Sequence, residues 1–139
     1  MNKVKIIFLT LSFFAAVSTL QAATIRIRVL DGRNGKPITN EVLQIWINEE
    51  SNGPYGLPTG KDGVAMLEVP AGGLLWVHSN WYVDCRPYTK EARASYSVDD
   101  IISFGIVAGN RCGKRSFEAR RGELILFVRP LHWWEGLKL

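Results

Sequence analysis

The residues of this chain that come closest to a metal-binding pattern are its two histidines, His78 and His132, and the carboxylate of Glu135. In the stretch His132-Trp133-Trp134-Glu135, the histidine and the glutamate are three residues apart. On a helix they would share a face, and His78 would be the only histidine left to supply a third ligand. The simpler interpretation is that Glu135 is solvated and that His132 packs at a strand end. We therefore expect no metal site and no cofactor.

Other catalytic patterns are also weak. No serine lies in a nucleophile-elbow motif. The adjacent carboxylates Asp99 and Asp100 follow Ser97, a pattern typical of a helix N-terminus, where acidic side chains complement the helix dipole. We expect no catalytic residues. An unrecognised hydrolase is the minor alternative.

The chain has two cysteines, Cys85 and Cys112. In an oxidising compartment an isolated pair most often forms one disulfide. A reactive thiol would need a nearby base and a lowered pKa, and the local sequence supplies neither. We expect a Cys85–Cys112 disulfide.

Two pairs of adjacent aromatic residues are the best candidates for binding. Trp81-Tyr82 and Trp133-Trp134 lie at strand ends, where neighbouring side chains point in opposite directions. We expect the tryptophans to close the ends of the fold. The alternative is that they are exposed and stack on sugar rings or anchor a protein partner.

A basic segment near the second cysteine is a further candidate. Between residues 111 and 121, Glu118 is the only carboxylate among five cations. Such a loop would attract anionic polysaccharide or lipid headgroups in a salt-sensitive manner, although a solvated loop is the simpler expectation. The five cations are Arg111, Lys114, Arg115, Arg120 and Arg121.

The N-terminus has the three parts of a secretory signal peptide. Lys3 and Lys5 precede an apolar run of 12 residues, Ile6 to Val17, and small residues follow at Ala22 and Ala23. The run is shorter than the roughly 18 residues that a membrane-spanning helix needs. We therefore expect cleavage, export to the periplasm or beyond, and no membrane span. The division is residues 1–22 as signal peptide and 23–139 as one domain.

Size and charge limit the function of the exported part. Cleavage after Ala22 leaves 117 residues, enough for one hydrophobic core. The formal charge falls from +4 to +2 because Lys3 and Lys5 leave with the signal. This small charge does not favour nucleic acid as a partner.

The exported part has the pattern of an all-β protein. Ile25, Ile27 and Val29 alternate with arginines, as in a strand with one buried face. Short apolar segments recur between Gly/Pro turns, and residues 48–60 read as a loop. This spacing predicts a sandwich or barrel, with Trp46 and Trp76 in its core. The predicted strands are Thr24–Leu30, Val42–Ile47, Val64–Val69, Leu74–Ser79 and Glu123–Arg129.

One segment departs from the strand pattern. Ser97 resembles an N-cap, and Ile101, Ile102 and Phe104 give a helical apolar face. Gly105 is placed to end the helix. We predict a helix of about two turns from Val98 to Phe104.

The first half of the domain resembles the carboxypeptidase regulatory-like domains. The resemblance rests on Val29-Leu30-Asp31, Gly35-Lys36-Pro37, Thr59-Gly60-Lys61-Asp62-Gly63 and Pro70-Ala71-Gly72, and covers roughly Thr24 to Gly72 and the last strand. It implies a transthyretin-like, seven-stranded Greek-key sandwich without catalytic function that assists a partner or binds a ligand such as carbohydrate. The second half is more similar to small exported bacterial homologues of unknown function.

The functional prediction is an exported, non-enzymatic accessory or interaction module. Its partner would be an envelope or secreted protein. The alternative is a carbohydrate-binding module that uses the two aromatic pairs to bind glycan.

Overall fold

The structure is a computed structural model that describes residues 21–48, 53–87 and 95–136. The predicted signal peptide lies outside the described residues, apart from Gln21 and Ala22. No helix in the described ranges has the length and apolar character needed to cross a membrane.

The described residues form nine strands and one short helix. Three of the strands have three residues or fewer. In chain order the elements are β1 (Ala22–Asp31), β2 (Val42–Ile47), β3 (Tyr55–Pro58), β4 (Val64–Pro70), β5 (Leu74–Ser79), β6 (Tyr82–Asp84), β7 (Ser95–Ser97), α1 (Val98–Ser103), β8 (Ile106–Val107) and β9 (Glu123–Pro130).

The strands form two sheets. In sheet A the order is β4–β1–β9–β6, and β8 also pairs with β9. In sheet B the order is β3–β2–β5–β7. Strand β1 is antiparallel to β4 and parallel to β9, whereas all the pairs in sheet B are antiparallel. The prediction of a mostly β protein with two sheets is confirmed.

The two sheets share one hydrophobic core. Ile25 and Ile27 of β1 and Leu43 and Ile45 of β2 are fully buried and belong to the same cluster. Their neighbours in sequence point to the outer faces, as the two-residue period of a strand requires. The alternation predicted for β1 is therefore confirmed.

A second, smaller cluster covers the outer face of sheet A. Leu30, Ile125 and Phe127 pack there against the Cys85–Cys112 disulfide. Strand β9 is therefore buried on both faces, while Leu124, Leu126 and Val128 point into the main core. This division of β9 into two apolar faces is what its sequence predicts.

An arginine joins the edges of the two sheets. Arg86 follows β6 of sheet A, and its guanidinium donates to Asp84, to the Tyr96 hydroxyl at 2.9 Å and to the Val77 carbonyl at 3.0 Å. Burial raises the pKa of Tyr96. These acceptors belong to β6 of sheet A and to β5 and β7 of sheet B, so the Arg86 side chain links the two sheets at this edge.

The helix forms as predicted, one residue shorter at its C-terminal end. The Ser97 hydroxyl accepts a hydrogen bond from the Asp100 N–H at 3.3 Å, which makes Ser97 the N-cap. Val98 and Ile101 are buried in the main core. Gly105 has φ of 75°, a left-handed conformation that suits glycine and ends the helix.

The prediction of a continuous loop over residues 48–60 is wrong. This stretch contains β3, an edge strand that pairs with β2 from Ile45↔Tyr55 to Val42↔Pro58. Gly56 and Pro58 hide the strand in the sequence, yet proline is tolerated at a sheet edge because its missing N–H faces outward. The Greek-key topology and the count of seven strands stay predictions.

Candidate functional site

Three exposed tryptophans come at the same end of two paired strands of sheet A, β6 and β9. Tyr82 of β6 pairs with Pro130 of β9, and the same register continued by one residue sets Trp81 opposite Leu131. The chain then turns through Trp133 and Trp134. The exposed fractions are 66% for Trp81, 51% for Leu131, 78% for Trp133 and 50% for Trp134. We call these four residues the aromatic end.

The turn that presents the two C-terminal tryptophans is held by an ion pair. Both carboxylate oxygens of Glu135 accept from Arg129, at 2.6 and 2.9 Å, and one also accepts from the His132 N–H at 2.8 Å. The Arg129 hydrogen bonds, with a further contribution from the His132 N–H, lower the pKa of Glu135 from 4.5 to about 2. Glu135 is therefore ionised at neutral pH and can keep its hydrogen bonds to Arg129 and to the His132 N–H.

Ring contacts give the two tryptophans a defined orientation. The His132 and Trp134 rings are stacked, with centroids 4.3 Å apart and planes within 5°. Trp133 meets Trp134 edge to face, at 5.9 Å and 85°. The expectation that Trp133 and Trp134 close the end of the fold is therefore wrong, because their rings contact each other and His132 while remaining open to solvent.

The turn that presents Trp81 is built on a buried carboxylate. Glu41 is 2% exposed, and its Oε1 accepts from the Ser79 hydroxyl at 2.6 Å, the Asn80 N–H at 2.6 Å and the Trp81 N–H at 2.9 Å. Sequence reasoning missed Glu41 because its partners lie 38 to 40 residues away. The only local indication that Glu41 is buried is its position directly before the apolar strand β2.

The pair Trp81-Tyr82 divides between surface and interior. Trp81 reaches solvent, contrary to the expectation that it seals the end, whereas Tyr82 is half-buried and packs against the main core. Of the four residues in the two predicted aromatic pairs, three therefore belong to the aromatic end and Tyr82 does not.

The structure gives the side chains of the metal-binding pattern other partners. Glu135 is engaged by Arg129, and the His132 ring lies on Trp134. His78 is in sheet B, where its ring meets Trp46 edge to face at 5.7 Å. Within the described ranges, no three His, Cys, Asp or Glu side chains are placed to hold a metal ion.

The basic segment forms a strap over the outer face of sheet A. The Cys85–Cys112 disulfide is formed, as predicted. Asn110 donates to the Gly32 carbonyl at 2.9 Å and to the Arg115 carbonyl at 3.1 Å. The five cations that the sequence singled out are all exposed along this strap, namely Arg111, Lys114, Arg115, Arg120 and Arg121.

The prediction that Trp46 and Trp76 lie in the core is wrong. Ile45 and Val77, their neighbours in sequence, take the inward positions, so both tryptophans point to the outer face of sheet B. They are half-buried there. A nearly continuous apolar run such as that of β2 does not reveal which of its two faces is covered.

Comparison with protein-family models, curated proteins and solved structures finds no match to this chain.

Proposed function

We propose that this chain is an exported, non-enzymatic interaction module that docks on an envelope or secreted protein through its aromatic end. The observation that carries the proposal is the fixed turn below Trp133. An ion pair and a backbone hydrogen bond hold the turn that carries Trp133, which is 78% exposed and meets the stacked Trp134 ring edge to face. Tryptophan is one of the three residue types enriched among the hot spots that dominate the energy of a protein interface.

The shape of the aromatic end favours a protein over a glycan at this place. Trp133 and Trp134 meet at 85°, so they offer a projecting anchor rather than two coplanar faces for successive sugar rings. Tyr82, the fourth aromatic residue of the two pairs, packs against the core. Leu131 and Trp81 are exposed at the same end of sheet A, and in a complex they would exclude water around the anchor, as the rim of a hot spot does.

Export is part of the same proposal. It is supported by the disulfide, which persists in oxidising compartments, and by the signal-like N-terminal sequence. We also propose a transthyretin-like Greek-key arrangement. It is supported by chain connections that pass between the sheets and by strand neighbours that are not consecutive, such as β1 beside β9 and β2 beside β5.

The test is the size of the complex in native envelope extracts. Mass-identified bands on a native gel would show the wild-type chain in a complex with a second protein. Replacing Trp133 and Trp134 together by alanine should shift the chain to monomer size, because the anchor is lost.

Met66→Ala is the matched control, since Met66 is 54% exposed on the opposite edge strand of sheet A. The proposal fails if the wild-type chain is found only as a monomer or self-oligomer. It also fails if the Trp133/Trp134 variant and the Met66→Ala variant keep the complex equally well.

A further inference from the structure

The outer face of sheet B carries a row of aromatic side chains beside a row of polar ones. Trp46 of β2 pairs directly with Trp76 of β5, so their side chains are neighbours on the same face. Two residues further along the strands, Gln44 pairs with His78. The two rows are about 7 Å apart along the strand direction.

Side-chain contacts join the rows into one surface. The His78 ring meets Trp46 at 5.7 Å, with planes at 85°. The Gln44 amide donates to Asn80 Oδ1 at 2.9 Å. Gly56 of β3 pairs with Gln44 and has no side chain, so nothing projects beside Gln44 on this side of the outer face.

This face differs from the outer face of sheet A in charge. Arg26, Arg28, Glu68 and Glu123 are on the outward positions of β1, β4 and β9, and the basic strap covers part of that face. On β2, β3, β5 and β7, the described outward positions hold no Asp, Glu, Lys or Arg. Those positions are Val42, Gln44, Trp46, Gly56, Pro58, Leu74, Trp76, His78, Ser95 and Ser97.

We propose that this face of sheet B binds a neutral glycan chain. The flat side of a pyranose ring exposes C–H bonds, which pack favourably on the electron-rich face of an indole. Its rim carries hydroxyl groups, which exchange hydrogen bonds with amide, imidazole and hydroxyl side chains. Trp46 and Trp76 supply the first kind of contact, and Gln44, His78 and Ser95 supply the second.

Charge favours this occupant over an anionic one. An acidic polysaccharide would be drawn to the strap residues 111–121, which lie over sheet A. A neutral chain gains nothing there and matches the described outward positions of sheet B, which carry no charge. The proposal is independent of the aromatic end, so a module that docks on a protein by one end would still present this face to the surrounding glycan.

The test is retardation, in native gels that contain a neutral polysaccharide, of the protein purified from cells that express the full chain. Hydroxyethyl cellulose, xylan and dextran are the probes, and heparin is the anionic comparison. We expect retardation by at least one neutral probe, unchanged between low and high salt because no ion pairs are involved. Trp46→Ala or Trp76→Ala should weaken it about tenfold or more.

Two controls separate this site from the others and from loss of folding. The variant with both Trp133 and Trp134 replaced by alanine should bind the neutral probe like the wild type, although it loses protein docking under the proposed function. Gln44→Ala, which keeps both indoles and sits in the polar row, should weaken binding about three- to tenfold. Circular dichroism and thermal melting show whether each variant is folded.

Three results would overturn the proposal. The first is no retardation of the folded wild type by any neutral probe. The second is retardation that survives both tryptophan substitutions. The third is retardation by heparin alone that disappears in salt, which would assign binding to the strap.

Discussion

Removing the disulfide should strongly destabilise the domain. Replacing Cys85 and Cys112 together by alanine opens a loop closed over 27 residues. In the chain-entropy model this costs about 3.5 kcal/mol of the free energy of unfolding. Alanine is the appropriate replacement because Cys85 is 2% exposed, and serine would bury a hydroxyl.

The loss is large compared with the total stability of a small domain, which is about 5–15 kcal/mol. For a chain of this length it lowers the melting temperature by roughly 10–20 °C. The strap also loses its anchor over Leu30 and Phe127, so these side chains gain exposure to solvent.

Urea denaturation of the oxidised wild type, the reduced wild type and the double alanine variant measures this effect. We expect the reduced protein and the variant to agree with each other and to lie about 3 kcal/mol or more below the oxidised protein. A difference below about 1 kcal/mol would show that the disulfide does not hold the strap on the sheet.

Three further predictions concern the turns and the strap. Glu41→Ala leaves the N–H donors of the Trp81 turn unpaired and should lower the free energy of unfolding, measured by urea denaturation, by about 3 kcal/mol. Glu68→Ala is the exposed control and should change it by less than about 0.5 kcal/mol. Equal effects of the two substitutions would contradict the role of Glu41. The lowered pKa of Glu135 means that its link to Arg129 adds stability above pH 4.5 and is lost as the pH falls through about 2. The melting temperature of the wild type should therefore exceed that of Glu135→Gln by a constant amount from pH 7 to about pH 5, and the difference should shrink as the pH falls towards 2. Equal melting temperatures of the two proteins at pH 7 would be contrary to this. Gly32→Ala places a new Cβ about 2.4 Å from Asn110 Oδ1 and should lower the free energy of unfolding, measured by thermal melting, by about 1–3 kcal/mol. Unchanged stability would mean that the strap is not packed this closely against Gly32.

Much of the fold could be predicted because its signals are local. The bounds of β2 and β5 and the Ser97 cap follow from short apolar runs, flanking turn residues and capping chemistry within a few positions. The short strands β6, β7 and β8 give too few residues for a period to appear. Gly56 and Pro58 conceal β3 because both residues are rare in strands.

The candidate sites were harder to predict because they depend on contacts between distant residues. Glu41 reaches a turn about 40 residues away. The inward or outward direction of Trp46 and Trp76 depends on which sheet face is covered, which an apolar run leaves open. The exposure of Trp133 follows from the link between Arg129 and Glu135, six residues apart, which no regular period indicates.

The central claim is that the aromatic end contacts another protein outside the cytoplasm. Its most direct test is a photo-crosslinking residue at position 133 in the full chain, expressed in cells that naturally produce it, with the same residue at position 66 as the matched exposed control. The account predicts, in the envelope or secreted fraction, a discrete crosslink from position 133 to one other protein and none from position 66. Crosslinks that are absent, that are equal at both positions, or that join only two copies of this chain would contradict it.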